Sequence, residues 1–92
     1  MLYLVLAYDS PSDARRRKLF RALRGYGERK QFSLFEARVS REQWARLKAA
    51  LEHIIEPGED NLVAYFLSPE NADKTWRVGN APVRPLTEPD FV

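Results

Sequence analysis

The chain has 92 residues, 45% of them hydrophobic, with a formal net charge of +2 and no cysteine. That length allows one domain with a modest core, and the hydrophobic share excludes wholesale disorder. The missing cysteine removes disulfides, thiolate metal sites and a cysteine nucleophile, which suits a reducing, cytoplasmic setting.

Residues 2–8 read as a strand rich in aliphatic and aromatic side chains and ending at Asp9. Its apolar run is too short to span a membrane. It lacks a basic flank and meets Asp9 and Pro11, so it does not read as a signal peptide either. Ser10, Pro11 and Asp13 then look like a helix start, with a serine cap, a proline in the first turn and a carboxylate three residues on. The first helix is expected over residues 11–24, stopped by Gly25 and Gly27, with Leu19, Phe20, Leu23 and Tyr26 as its apolar stripe.

Residues 30–39 read as extended, either kinked or split into two short strands. Ser40 and Gln43 form a capping box, and a second helix follows to about Ile55 with Trp44, Leu47, Leu51, Ile54 and Ile55 on one face. Pro57 and Gly58 end it. Residues 61–67 are the next strand, and residues 75–78 a short one. The proline-rich residues 81–92 are expected to form an extended tail after a domain spanning 1–80.

The order βαββαβ predicts an α+β fold, a ferredoxin-like antiparallel sheet with two helices on one face. Both faces of the strands are apolar: Leu2, Leu4 and Leu6 alternate with Tyr3, Val5 and Ala7, and residues 62–67 are apolar throughout. Two helices cover only one face. The simplest cover for the other is a second copy related by a two-fold axis, which predicts a homodimer.

The small net charge hides a segregation. Residues 15–48 hold twelve Lys or Arg against three Glu, whereas residues 49–92 hold three basic and eight acidic side chains. One basic face suited to a polyanion follows, the alternative being a solvated helix surface. Arg17, Lys18, Arg21 and Arg24 fall on the flanks or outer side of the first helix, where they can position nucleic-acid phosphates without reading sequence. Arg16 lies on the stripe with Leu19, Phe20 and Leu23. A guanidinium there needs a carboxylate or phosphate partner, or snorkels to solvent.

Asp9 closes a buried strand before a helix N-terminus. Either it caps backbone amides, or it offers oxygen to a hard cation such as Mg²⁺ or Mn²⁺, with a two-fold axis bringing a second copy. His53, the single histidine, points away from the helix stripe, so a serine–histidine triad or a histidine-ligated zinc has little support. Neither a Walker loop nor the signature of an RNA-recognition motif is present.

Two stretches carry a family resemblance. Tyr8 and Asp9, followed by Asp13, Arg15, Arg16, Arg17 and Lys18, resemble a strand-end aspartate ahead of an arginine-rich helix start. Residues 25–36 contain Gly27, Arg29, Gln31, Ser33, Phe35 and Glu36 in the pattern G-x-R-x-Q-x-S-x-F-E. With the strand after Glu59 and Asp60, they are similar over residues 2–67 to the second of the two universal CRISPR adaptation proteins, the small partner of the spacer integrase.

The resemblance implies a ferredoxin-like homodimer that handles nucleic acid during spacer acquisition, as a metal-dependent endonuclease on single-stranded RNA or duplex DNA. Asp9 would be the metal ligand at the dimer interface. Tyr8, Arg16, Lys18, Arg29 and Phe35 fall at positions linked to activity or substrate contact, Arg16 and Arg29 offsetting transition-state charge and Phe35 either stacking on a base or packing. Arg15 joins the nucleic-acid-binding arginines of the helix start, and the tail from Ala81 would pair with the partner protomer. Many relatives carry a second acidic residue where Ser12 stands, so carboxylates are fewer here. The alternative function is a non-catalytic scaffold that holds DNA between integrase copies.

Overall fold

Aliphatic and aromatic residues in alternation build the two central strands of a sheet, β1 (Leu2–Asp9) and β3 (Leu34–Val39). Strand β2 (Gly27–Gln31) flanks β3, and β4 (Asn61–Leu67) flanks β1, giving the order β2-β3-β1-β4 with every neighbouring pair antiparallel. The computed structural model describes residues 1–31 and 33–79. Helices α1 (Asp13–Leu23) and α2 (Arg41–Ile54) form the crossovers, and a short α3 (Pro69–Asp73) follows β4. This is the expected ferredoxin-like α+β arrangement.

The register sets the two faces apart. Leu4 pairs with Ala37 and Phe66, and Leu6 with Phe35 and Ala64. These even positions of β1 turn toward the helices, where Leu4, Leu6, Tyr8, Phe35 and Val39 pack with Leu19 and Leu23 of α1 and Leu47 and Leu51 of α2. The odd positions Tyr3, Val5, Ala7 and Asp9 share the other face with Val63, Tyr65 and Leu67 of β4. Tyr65 is 59% exposed and Val63 40%. The apolar second face expected from the sequence is therefore present and open in the single chain.

Several local expectations change. Ser12, not Ser10, caps α1: its side chain accepts from the Arg15 N–H at 3.2 Å. Ser10 instead accepts from the Ser12 N–H and lies buried, so the helix begins two residues later than expected. The extended region is a hairpin, and β2 begins at Gly27 rather than near Lys30. A Cβ on Gly27 would lie 2.3 Å from the Glu36 carbonyl oxygen and 2.9 Å from Ala37, so β2 closes on β3 only with glycine there. A register shift between Arg29 and Gln31 supplies the kink.

The capping box of Ser40 and Gln43 is complete, both bonds being made. After β4, Ser68 caps α3 with Pro69 in its first turn, a short helix the periodicity did not announce. Residues 75–78, expected as a strand, are irregular and run beside the open face, where Arg77 bonds Glu36. The tail at 81–92, with its expected pairing to a partner, lies outside the described residues.

Candidate functional site

Asp9, Arg16, Tyr8, Arg29 and Phe35 come together at one end of the sheet, where β1 finishes and α1 begins, whereas Gly27 and Glu36 lie farther along it. Asp9 is the last residue of β1. It is exposed on the open face, and its Cα pairs with Asn61 of β4. Ser10 follows it and is a node. Its backbone oxygen accepts from Arg16, whose guanidinium also bonds the Asp13 carboxylate. Arg16 thus has the carboxylate partner its inward position required, with a side chain 15% exposed.

Tyr8, Phe35 and Arg29 come to the same end but on the helix side. Phe35 is 1% exposed and packs against Tyr8, ring centroids 6.3 Å apart, and against Phe20 at 5.8 Å. Of the two uses open to Phe35, packing is the one seen. The Arg29 guanidinium lies 4.6 Å from the centre of the Phe20 ring, a cation–π contact. Tyr8 is buried, and among the described residues its hydroxyl has no hydrogen-bond partner. Burial pushes its phenol above the ordinary value, while the positive fields of Arg29 and Arg16 pull the other way. At neutral pH the group is a protonated donor, not a phenolate.

The basic run divides by face. Arg17, Lys18, Arg21 and Arg24 are exposed along α1, as expected. Arg15 is turned inward: its Nε donates to Asp60 at 2.7 Å, and its Nη2 donates to Asp60 at 3.1 Å and Glu59 at 2.8 Å. Asp60 has a fully buried side chain. Arg15, with help from the Ser10 hydroxyl and the Glu56 N–H, holds the Asp60 carboxyl at about 2, well below the usual carboxylate range. Sequence reading missed Ser10 and Asp60 as site residues. The one signal was an acid directly before an apolar strand, and its partner lies 45 positions away.

No three His, Cys, Asp or Glu side chains gather into a metal cage among the described residues. Asp9 offers one exposed carboxylate. His53 is exposed, and no helix of the described residues is long and apolar enough to cross a membrane.

Fold and site together define a class: a ferredoxin-like α+β protein with a basic helix flank and a strand-end aspartate, features suited to phosphodiester chains. The family described as CRISPR associated protein Cas2 matches residues 1–75. A CRISPR-associated endoribonuclease Cas2 of Thermus thermophilus is 54% identical over 99% of this chain and 97% of its own length. In solved structures, Streptococcus pyogenes Cas2 shares the fold, with a TM-score of 0.74 and 24% identity over 84% of this chain and 99% of its own. A chain in a partial Cas6-RT-Cas1–Cas2 complex gives a TM-score of 0.72 and 27% identity over 85% and 91%. The chain belongs to the CRISPR associated protein Cas2 family.

Proposed function

We propose that the protein serves CRISPR adaptation in the cytoplasm as a homodimer that binds nucleic acid and cleaves phosphodiester bonds with a divalent metal, Mg²⁺ or Mn²⁺. Asp9 carries the reading. It ends a strand on an apolar face that a second copy would cover, so a two-fold axis near the strand end would pair two such carboxylates. The endoribonuclease name of a relative 54% identical supports the activity, and the neighbour assembled with Cas1 supports an integrase partner.

The donor set fits a hard cation. Mg²⁺ is commonly held by one or two carboxylates and keeps several waters, which suits one Asp9 from each protomer and no soft ligand. Bound there, such an ion supplies Lewis acidity toward a scissile phosphate and acidifies water. The rest falls to the chain. Arg16, held through Ser10 beside the strand end, adds positive charge where phosphate charge builds up. Arg29, on the helix side of the same end, adds to that field, with Phe20 and Phe35 packed beneath it. Tyr8 is a buried donor behind this end, and Arg17, Lys18, Arg21 and Arg24 hold the backbone of the bound strand.

A second reading has its own observation. With one carboxylate per protomer and no histidine base nearby, a scaffold role holding a DNA duplex between integrase copies needs only the exposed cations of α1. Cleavage of labelled single-stranded RNA and duplex DNA, with Mg²⁺, Mn²⁺ or EDTA, separates the two. Metal-dependent cutting by the wild type, absent in Asp9→Ala that still dimerises and binds duplex, is the expected result. No cutting above that of Asp9→Ala, with both proteins dimeric and able to bind duplex, leaves the scaffold reading.

A further inference from the structure

Apart from Tyr8, the buried polar side chains among the described residues are Ser10 and Asp60, and the Ser10 hydroxyl helps to stabilise the Asp60 carboxylate. Burying a carboxylate is costly unless it is fully bonded. Here both oxygens are used: Oδ2 accepts from Arg15 Nε at 2.7 Å and the Glu56 N–H at 2.9 Å, and Oδ1 from Arg15 Nη2 at 3.1 Å. Such a two-pronged guanidinium–carboxylate pair constrains direction as well as distance.

The location matters more than the strength. Asp9 pairs with Asn61 across the β1–β4 ladder. Ser10 directly follows Asp9, and Asp60 directly precedes Asn61, so Ser10 and Asp60 lie one step beyond the last pair of the ladder. Arg15 reaches Asp60 from the first turn of α1, and Arg16 donates to the backbone oxygen of Ser10. An aspartate at a strand end would otherwise sit on a fraying backbone. This clamp ties both strands and the helix start together around it.

We infer that Asp60, acting through Ser10 and Arg15, is a positioning residue that holds Asp9 and Arg16 in place for the metal and the phosphate. Arg15 belongs to this clamp rather than to the phosphate-contacting face. The inference rests on the reading of Asp9 as a metal ligand. Residues that orient a metal ligand typically affect metal affinity or activity about 10–100-fold when replaced. Asp60→Asn and Arg15→Lys are each expected to weaken metal binding by about that factor.

The test uses the full-length protein in its native oligomeric state. Mn²⁺ binding is titrated by calorimetry for wild type, Asp9→Ala, Asp60→Asn and Arg15→Lys, beside thermal melts. Cleavage is then followed at rising Mn²⁺. The expected pattern is weaker Mn²⁺ binding by the folded clamp variants, with cleavage recovered at high Mn²⁺ in Asp60→Asn but not in Asp9→Ala. If folded Asp60→Asn binds Mn²⁺ as the wild type does while Asp9→Ala does not, the clamp is only a staple and the inference falls. If Asp9→Ala also binds like the wild type, the metal-ligand reading itself falls and takes this inference with it. Should Asp60→Asn fail to fold, Ser10→Ala removes the hydroxyl beside Asp60 while keeping the Arg15–Asp60 pair. Unchanged Mn²⁺ affinity in that variant would equally overturn the proposal.

Discussion

The two faces of β1 are apolar to a similar degree and have different fates. Leu4, Leu6 and Tyr8 disappear beneath α1 and α2, whereas Tyr3, Val5 and Ala7 lie on a face that the described chain leaves open. One residue of alternation separates a packed core from a surface that the described residues leave open. The same step divides the site, with Asp9 on the open face and Tyr8 and Phe35 on the packed one. What a side chain contributes here depends on which face its position selects, more than on how apolar its neighbours are.

Truncation on each face should expose that difference most strongly. Leu6→Ala opens a cavity in a fully buried position and is expected to lower folding stability by about 3 kcal/mol in urea denaturation. Tyr65→Asp, on the open face, should leave the monomer folded and shift the protein toward monomer in light scattering. If Tyr65→Asp unfolded the chain as Leu6→Ala does, the two faces would be equivalent.

A smaller effect is expected on α1. Converting Arg17, Arg21 and Arg24 to Glu should weaken duplex binding and flatten its salt dependence, by about 0.9 in the log–log slope for each phosphate left without its cation. Unchanged binding would make that flank a solvated surface. Arg15, turned into the clamp, should contribute little to this slope.

The smallest effect concerns acid. The folded protein holds the Asp60 carboxyl at about 2, below its ordinary value of 3.8, so folding favours the ionised form. The resulting stabilisation is fully present above about pH 4 and is lost as pH falls toward 2. Denaturation midpoints of the wild type should drop across that window, and Asp60→Asn should show a shallower drop from a lower starting point. Parallel curves would remove Asp60 from the acid response.

Much of this was legible in the chain alone. Alternation along β1 marked both apolar faces, the Ser40–Gln43 box marked the start of α2, and the stripe of α1 placed Arg16 inward. Phe35 was harder to read, because base stacking and core packing ask for the same aromatic residue and only its neighbours Tyr8 and Phe20 decide. The start of α1 was misplaced because Ser10 and Ser12 are both good caps. In the fold the Ser10 hydroxyl accepts from the Ser12 N–H, and the Ser12 hydroxyl is left to cap the Arg15 N–H.

The sequence by itself determined the order of elements, the two-sided apolar sheet, the segregation of basic and acidic halves and the identity of the strand-end aspartate. All of these rest on local periodicity and composition, which a linear chain displays directly. Tertiary structure alone decided that Arg15 faces Asp60 rather than solvent, that Gly27 must lack a side chain to meet Glu36 and Ala37, and that Asp9 pairs with Asn61 beside the Arg15–Asp60 pair. Each is a meeting set by strand register and packing rather than by the order of neighbouring residues, so no local pattern displays it.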